Sequence, residues 1–90
     1  MSTVVDNTAA RRFELLEDGH LAFAAYRRSE NLVTIPHVES AKELRGKGTA
    51  SRLMTGIVAL AREHSFKITP TCPYAIAWFR NHPEAEDVLI

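Results

Sequence analysis

From Gly48 onward the apolar residues Ala50, Leu53, Met54, Ile57, Val58 and Ala61 recur at i, i+3, i+4, i+7, i+8 and i+11. That spacing lays a single apolar stripe along an amphipathic helix. Arg62 and His64 follow in its last turn, where cations suit the negative end of the helix dipole. Upstream the period is two. In RRFELLED, Phe13 and Leu15 alternate with Arg12 and Glu14; in HLAFAAYRRS, Leu21, Phe23 and Ala25 alternate again. The Asp18-Gly19 pair between them is a hairpin turn signal, so these segments predict two antiparallel strands. A polar turn from Ser29 to Asn31 leads to LVTIPHVE, rich in β-branched residues but interrupted by Pro36. Proline cannot donate to a ladder, so Pro36 predicts an edge, a bulge or a splayed strand.

Beyond the helix, FKITP predicts a short strand, and PYAIAWFRNH a second helix that begins on a proline and stops before Pro83. The order is β-β-β-α-β-α. It predicts an α+β fold in which the long helix crosses from the third strand to a parallel fourth one, giving a mixed sheet. Residues 1–10 show no sustained period and are expected to form a flexible N-terminal segment, with 11–90 as one compact domain.

Composition narrows the function. Hydrophobic residues at 46% and charged residues at 24% suit a small globular core. Eleven basic residues balance eleven acidic ones, so no net field gathers nucleic acid or an anionic membrane, and any anion must be held locally. No apolar stretch approaches the ~18 residues needed to span a bilayer. The single cysteine, Cys72, and the absence of an apolar signal-peptide core in MSTVVDNTAARR point to a reducing cytoplasm. A monomer or weak dimer is expected. His20, His64 and His82 lack metal-ligand spacing with cysteine or carboxylates, so no metal is expected.

Local anion binding has one obvious place, the stretch ELRGKGTASRLM. The first N–H groups of a helix have no carbonyl partner and carry partial positive charge. Gly46 and Gly48 let the preceding loop take positive φ, while Thr49, Ala50 and Ser51 are short enough not to block an incoming ligand. Arg45 and Lys47 add full charges. A plain helix entry, capped by Thr49 or Ser51, is the simpler reading of the same residues. The commoner nucleotide loops do not fit, since the stretch lacks the G-x-x-x-x-G-K-S/T spacing and position 51 of a G-x-G-x-x-G pattern would be serine.

Arg45-Gly46-Lys47-Gly48-Thr49-Ala50 resembles the Gln/Arg-x-x-Gly-x-Gly/Ala signature of the GNAT acetyltransferase superfamily, which lies between a strand and a long helix. HVE at 37–39, TPTCPYA and WFRNHPE are similar to further motifs of its small, single-domain Yjdj-like branch, and together they cover the chain from about Arg12. The resemblance implies that backbone N–H groups from about Gly46 to Ser51 hold the pyrophosphate of acetyl-coenzyme A. It also implies that the pantetheine arm runs along the strand ending near Val38, where Pro36 disturbs the pairing. Arg80 would reach the adenosine 3′-phosphate, or else simply cap its helix.

Acetyl transfer to an amine needs a neutral amine, a polarised carbonyl and a proton for the leaving thiolate. His37 and Glu39, two apart on a strand, point to one face, where they would act as base or bind the acceptor; solvated roles are the plainer reading. Cys72, beside a helix start, is read as a small buried hydrophobe or, by the resemblance, as acetyl acceptor, general acid or wall of the site. The family's Asn-x-x-Ala-x-x-x-Tyr pattern would fall on Cys72, Ala75 and Phe79, and Phe79 has no proton to give. Cys72 and Tyr74 remain as acids, Tyr74 equally as a packed ring. Two functions follow as expectations: an N-acetyltransferase with an unknown amine acceptor, or a catalytically weak acyl-coenzyme A-binding or protein-interaction module. Only EDG separates the first two strands where full-length members carry helices, so an open face is expected.

Overall fold

A computed structural model describes residues 3–90. Its strands are β1 (Val5–Asn7), β2 (Arg12–Glu17), β3 (His20–Ser29), β4 (Leu32–Ser40) and β5 (Lys67–Pro70); its helices are α1 (Thr49–His64) and α2 (Pro73–Arg80). They form one five-stranded sheet in chain order, antiparallel from β1 to β4, with β5 parallel to β4. The α+β class and the parallel pair joined through α1 are as expected. The strand pattern differs, because β1 precedes the three expected strands and short 3-10 turns occur at Lys42–Leu44 and Pro83–Val88. Three residues are too few to show a period. β1 is held by its partners instead: Val5–Asn7 pair with Arg12–Glu14, and the Tyr26 hydroxyl donates to Asp6 Oδ1 at 2.6 Å. Burial, reinforced by Asp6, pushes the Tyr26 phenol up to about 12. Met1 and Ser2, the first residues of the segment expected to be flexible, lie outside the described residues.

The β2–β3 hairpin closes as its turn residues dictate. Glu17 pairs with His20, and the two residues between, Asp18 and Gly19, both have positive φ, 51° and 75°, which a two-residue I′ turn requires. Alternation then sorts the sheet into two faces. Phe13, Leu15, Ala22, Ala24, Val33 and Ile35 are buried in one cluster with Leu53, Met54, Ile57 and Ala61 of α1. Removing each large aliphatic of that stripe from water contributes about 1.5–3 kcal/mol. The other face keeps Arg12, Glu14, Leu21, Phe23, His37 and Glu39 outside the core, and Leu16 is 66% exposed.

Pro36 disturbs the sheet in two ways. Ala25 pairs with His37 but Arg27 with Thr34, so Tyr26 faces both Ile35 and Pro36 across a β-bulge. On the other side of β4, pairing with β5 ends at Ile35 and Pro70, and the two strands part. The Ile35 carbonyl closes the junction, accepting from the N–H groups of Thr71 at 3.0 Å and Cys72 at 3.1 Å. α2 ends at Arg80, two residues sooner than its sequence pattern extends, with Asn81 as its cap. No helix among the described residues is long and apolar enough to cross a membrane.

Candidate active site

The glycine stretch is a left-handed loop. Gly46 has φ 77° and Gly48, the N-cap of α1, φ 78°; no side chain caps the helix. The Lys47 N–H turns back to Leu44 O at 3.2 Å, and the next bonded amide is Arg52, to Gly48 O at 3.1 Å. The N–H groups of Gly48, Thr49, Ala50 and Ser51 between them have no partner among the described residues. Of the two readings, capped entry or anion cradle, the cap fails: the Thr49 hydroxyl donates to Glu17 Oε1 at 2.7 Å, and Ser51 Oγ accepts from Trp78 Nε1 at 2.9 Å.

The loop borders a concavity of about 290 Å³ whose walls are residues 44–46 and 48–51, with Ser40 and Tyr74 opposite. Tyr74 is thus brought to the loop; it is 39% exposed, and burial of the remainder pushes its phenol up, so it carries its proton at neutral pH. Lys47 stands 3.7 Å from Asp18, on the hairpin side. Arg80 is not brought here. It lines a separate concavity with Ile76, Pro83 and Glu86, at the C-terminal end of α2.

Two residues that the sequence pattern passes over organise the loop. Arg52 forms two 2.7 Å hydrogen bonds with the Glu17 carboxylate and a third, at 2.9 Å, to the carbonyl of Lys47. Glu17 is held down to about 2, chiefly by Arg52 and next by Thr49. A charge pair so distant in the chain leaves no local pattern; only the position of Glu17 beside the hairpin turn hints at it.

Past Pro36 the edge of β4 lies open. Ala41 N–H bonds Leu21 O on the β3 side, so by strand alternation the N–H and C=O groups of Val38 and Ser40 point away from β3, toward the side β5 has left. None of these has a partner among the described residues. Val38 packs on the core, and Cys72, 6% exposed, sits where the strands part. His37 and Glu39 are together, Nε2 to Oε1 at 3.0 Å, but on the opposite, open face. The four candidate catalytic groups therefore divide, Cys72 and Tyr74 along the cleft, His37 and Glu39 across the sheet. Phe79 is buried, as its sequence environment implies. Among the described residues no group of three or more His, Cys, Asp or Glu could hold a metal ion.

The donor set suits a diphosphate joined to an amide-bearing chain: unpaired N–H groups at a helix start, and free strand groups in line with them. Comparison with curated proteins finds no match. Among solved structures, the solution structure of a GCN5-like N-acetyltransferase candidate from Staphylococcus aureus matches with TM-score 0.75 and 26% identity, covering 98% of this chain and 87% of that one. A family model, GCN5-related N-acetyl-transferase, matches residues 12–88. That span takes in the glycine loop, the opened edge of β4 and the cysteine at its apex, and by it the chain belongs to the GCN5-related N-acetyltransferase family.

Proposed function

We propose that this chain binds acetyl-coenzyme A and transfers its acetyl group to an amine, as a single-domain member of the Yjdj-like branch working in the cytoplasm. The observation that carries this reading is the run of four unpaired N–H groups, Gly48 to Ser51, next to the free edge at Val38 and Ser40. The loop amides hold the pyrophosphate, with Arg45 and Lys47 supplying charge and the Tyr74 hydroxyl a donor from the far wall. Val38 and Ser40 pair with the amides of the pantetheine arm, which directs its end toward Cys72.

When bound, the coenzyme supplies an activated acyl thioester. The amine approaches over the open face, where the paired His37 and Glu39 take its proton. As the new N–C bond forms and the C–S bond breaks, the Cys72 S–H gives a proton to the departing sulfur; Phe79 leaves no hydroxyl for that task. With no helix between β2 and β3, the face admits an amine borne on a protein or peptide. Phe79 also favours a second reading, a module that binds acyl-coenzyme A with little turnover. Following thiol release with acetyl-coenzyme A and a panel of amines and peptides separates the two: release that depends on the acceptor supports transfer, and binding without release on any acceptor supports the module.

A further inference from the structure

The geometry points to a second ligand site, a basic notch where β3 outruns β2, which takes an acidic, extended protein segment. Backbone pairing of these strands ends with the Tyr26 N–H donating to Arg11 O at 3.0 Å, yet β3 continues to Ser29. The vacated place beside it is a concavity of about 520 Å³ lined by Thr8, Arg11, Tyr26, Arg27 and Arg28. Arg11 turns its own N–H back to Thr8 O, so it does not return a bond to β3. By alternation the Tyr26 C=O and the Arg28 N–H face this notch, and neither has a partner among the described residues.

Unpaired guanidiniums gather at the notch, whereas Arg45 and Arg80, which likewise hold no carboxylate among the described residues, stand singly at other concavities. Arg12, Arg52 and Arg62 each hold a carboxylate, respectively Glu14, Glu17 and Asp87. Arg11, Arg27 and Arg28 pair with none among the described residues, in a chain whose formal net charge is zero. Arg28 is already oriented, its guanidinium 5.0 Å from the centre of the Phe66 ring and its Nε on Glu30 O at 2.8 Å. The nearby Asp6 is engaged by the Tyr26 hydroxyl.

Arg27 and Arg28 are neighbours on β3, so their side chains leave on opposite faces of the strand and do not close on one point as a lone phosphate would need. They suit successive carboxylates, each able to take a bidentate pair, while the open strand edge calls for a main-chain partner. The notch lies roughly 13–20 Å along β3 from Ala22, the strand neighbour of Ser40 at the glycine loop, so its occupant does not compete with the coenzyme.

The test uses the full chain and a fluorescein-labelled peptide of about ten residues, rich in Glu and Asp, with its Gln/Asn analogue, inorganic triphosphate and a single-stranded oligonucleotide as comparisons. The acidic peptide is expected to give saturable anisotropy and to shift the amides of Thr8–Arg11 and Tyr26–Arg28, leaving Gly46–Ser51 in place. The charge reversals R11E and R27E together, at exposed positions, should weaken it at least about tenfold while coenzyme A affinity stays the same. N-methylation of alternate peptide amides should weaken it further. No saturation, indifference to the reversals, shifts centred elsewhere, or tighter binding of triphosphate or oligonucleotide in the notch would each overturn the assignment.

Discussion

Glu17, the last residue of β2, grips Arg52 of α1 through two 2.7 Å hydrogen bonds across 35 positions of sequence. The same carboxylate takes the Thr49 hydroxyl, and the same guanidinium reaches the carbonyl of Lys47. The glycine loop is thereby fixed from both ends, which leaves its amides aligned before any ligand arrives. Preorganisation of that kind lowers the ordering cost of binding.

Replacing Glu17 by Gln tests the clamp through pH. The folded carboxyl titrates near 2 against an ordinary 4.5, so its stabilising effect is complete above about pH 4.5 and is lost as pH falls through about 2. Thermal unfolding followed by circular dichroism should show the parent melting above E17Q at pH 7. The gap should narrow below pH 4.5 and close near pH 2; a gap independent of pH would contradict the linkage.

Gly48 should matter more than the charge beside it. A Cβ there would stand 3.2 Å from Arg52 Nη1, and the left-handed backbone alone costs an ordinary residue about 1–2 kcal/mol. G48A should lower the melting temperature and weaken coenzyme A binding about tenfold or more by calorimetry. Lys47, exposed beside Asp18, should lose less than about threefold as K47A. Equal losses would count against binding through backbone amides.

Much of this was readable from residue patterns, for reasons that can be named. The stripe from Leu53 to Ala61 is long enough for its period to dominate, and Asp18-Gly19 and Pro36 act through backbone constraints that travel with the residue type. β1 was not readable, since Val5–Asn7 is held by tertiary partners, Tyr26 among them. Nor was the division of the site. Alternation puts His37 and Glu39 on one face, but only the sheet shows that Cys72 and Tyr74 lie across from them. Arg80, the last residue of α2, lines a concavity apart from the glycine loop, a placement that its motif position does not reveal.

Cys72 is expected to act as a proton donor without forming an acyl-enzyme. C72A should reduce turnover about 10- to 100-fold with coenzyme A affinity unchanged, and mass spectrometry of the parent after exposure to acetyl-coenzyme A should show no acetyl adduct. A stoichiometric adduct that an amine then discharges would replace this step with a covalent one.

Glu39 is expected to serve the acceptor half of the reaction. E39Q should lower kcat about 10- to 100-fold and leave the KM for acetyl-coenzyme A within about twofold, because its partner His37 lies on the open face. A variant that instead raises that KM alone would place Glu39 with the coenzyme.

The most direct measurement is an amide nuclear magnetic resonance titration of the labelled chain with acetyl-coenzyme A. Saturable binding should move Gly46, Gly48, Thr49, Ala50 and Ser51 together with Val38 and Ser40, the loop amides downfield as they meet phosphate oxygens. Saturation with these resonances in place, or shifts centred on another part of the molecule, would contradict the assignment of the loop and the opened β4 edge as the coenzyme site.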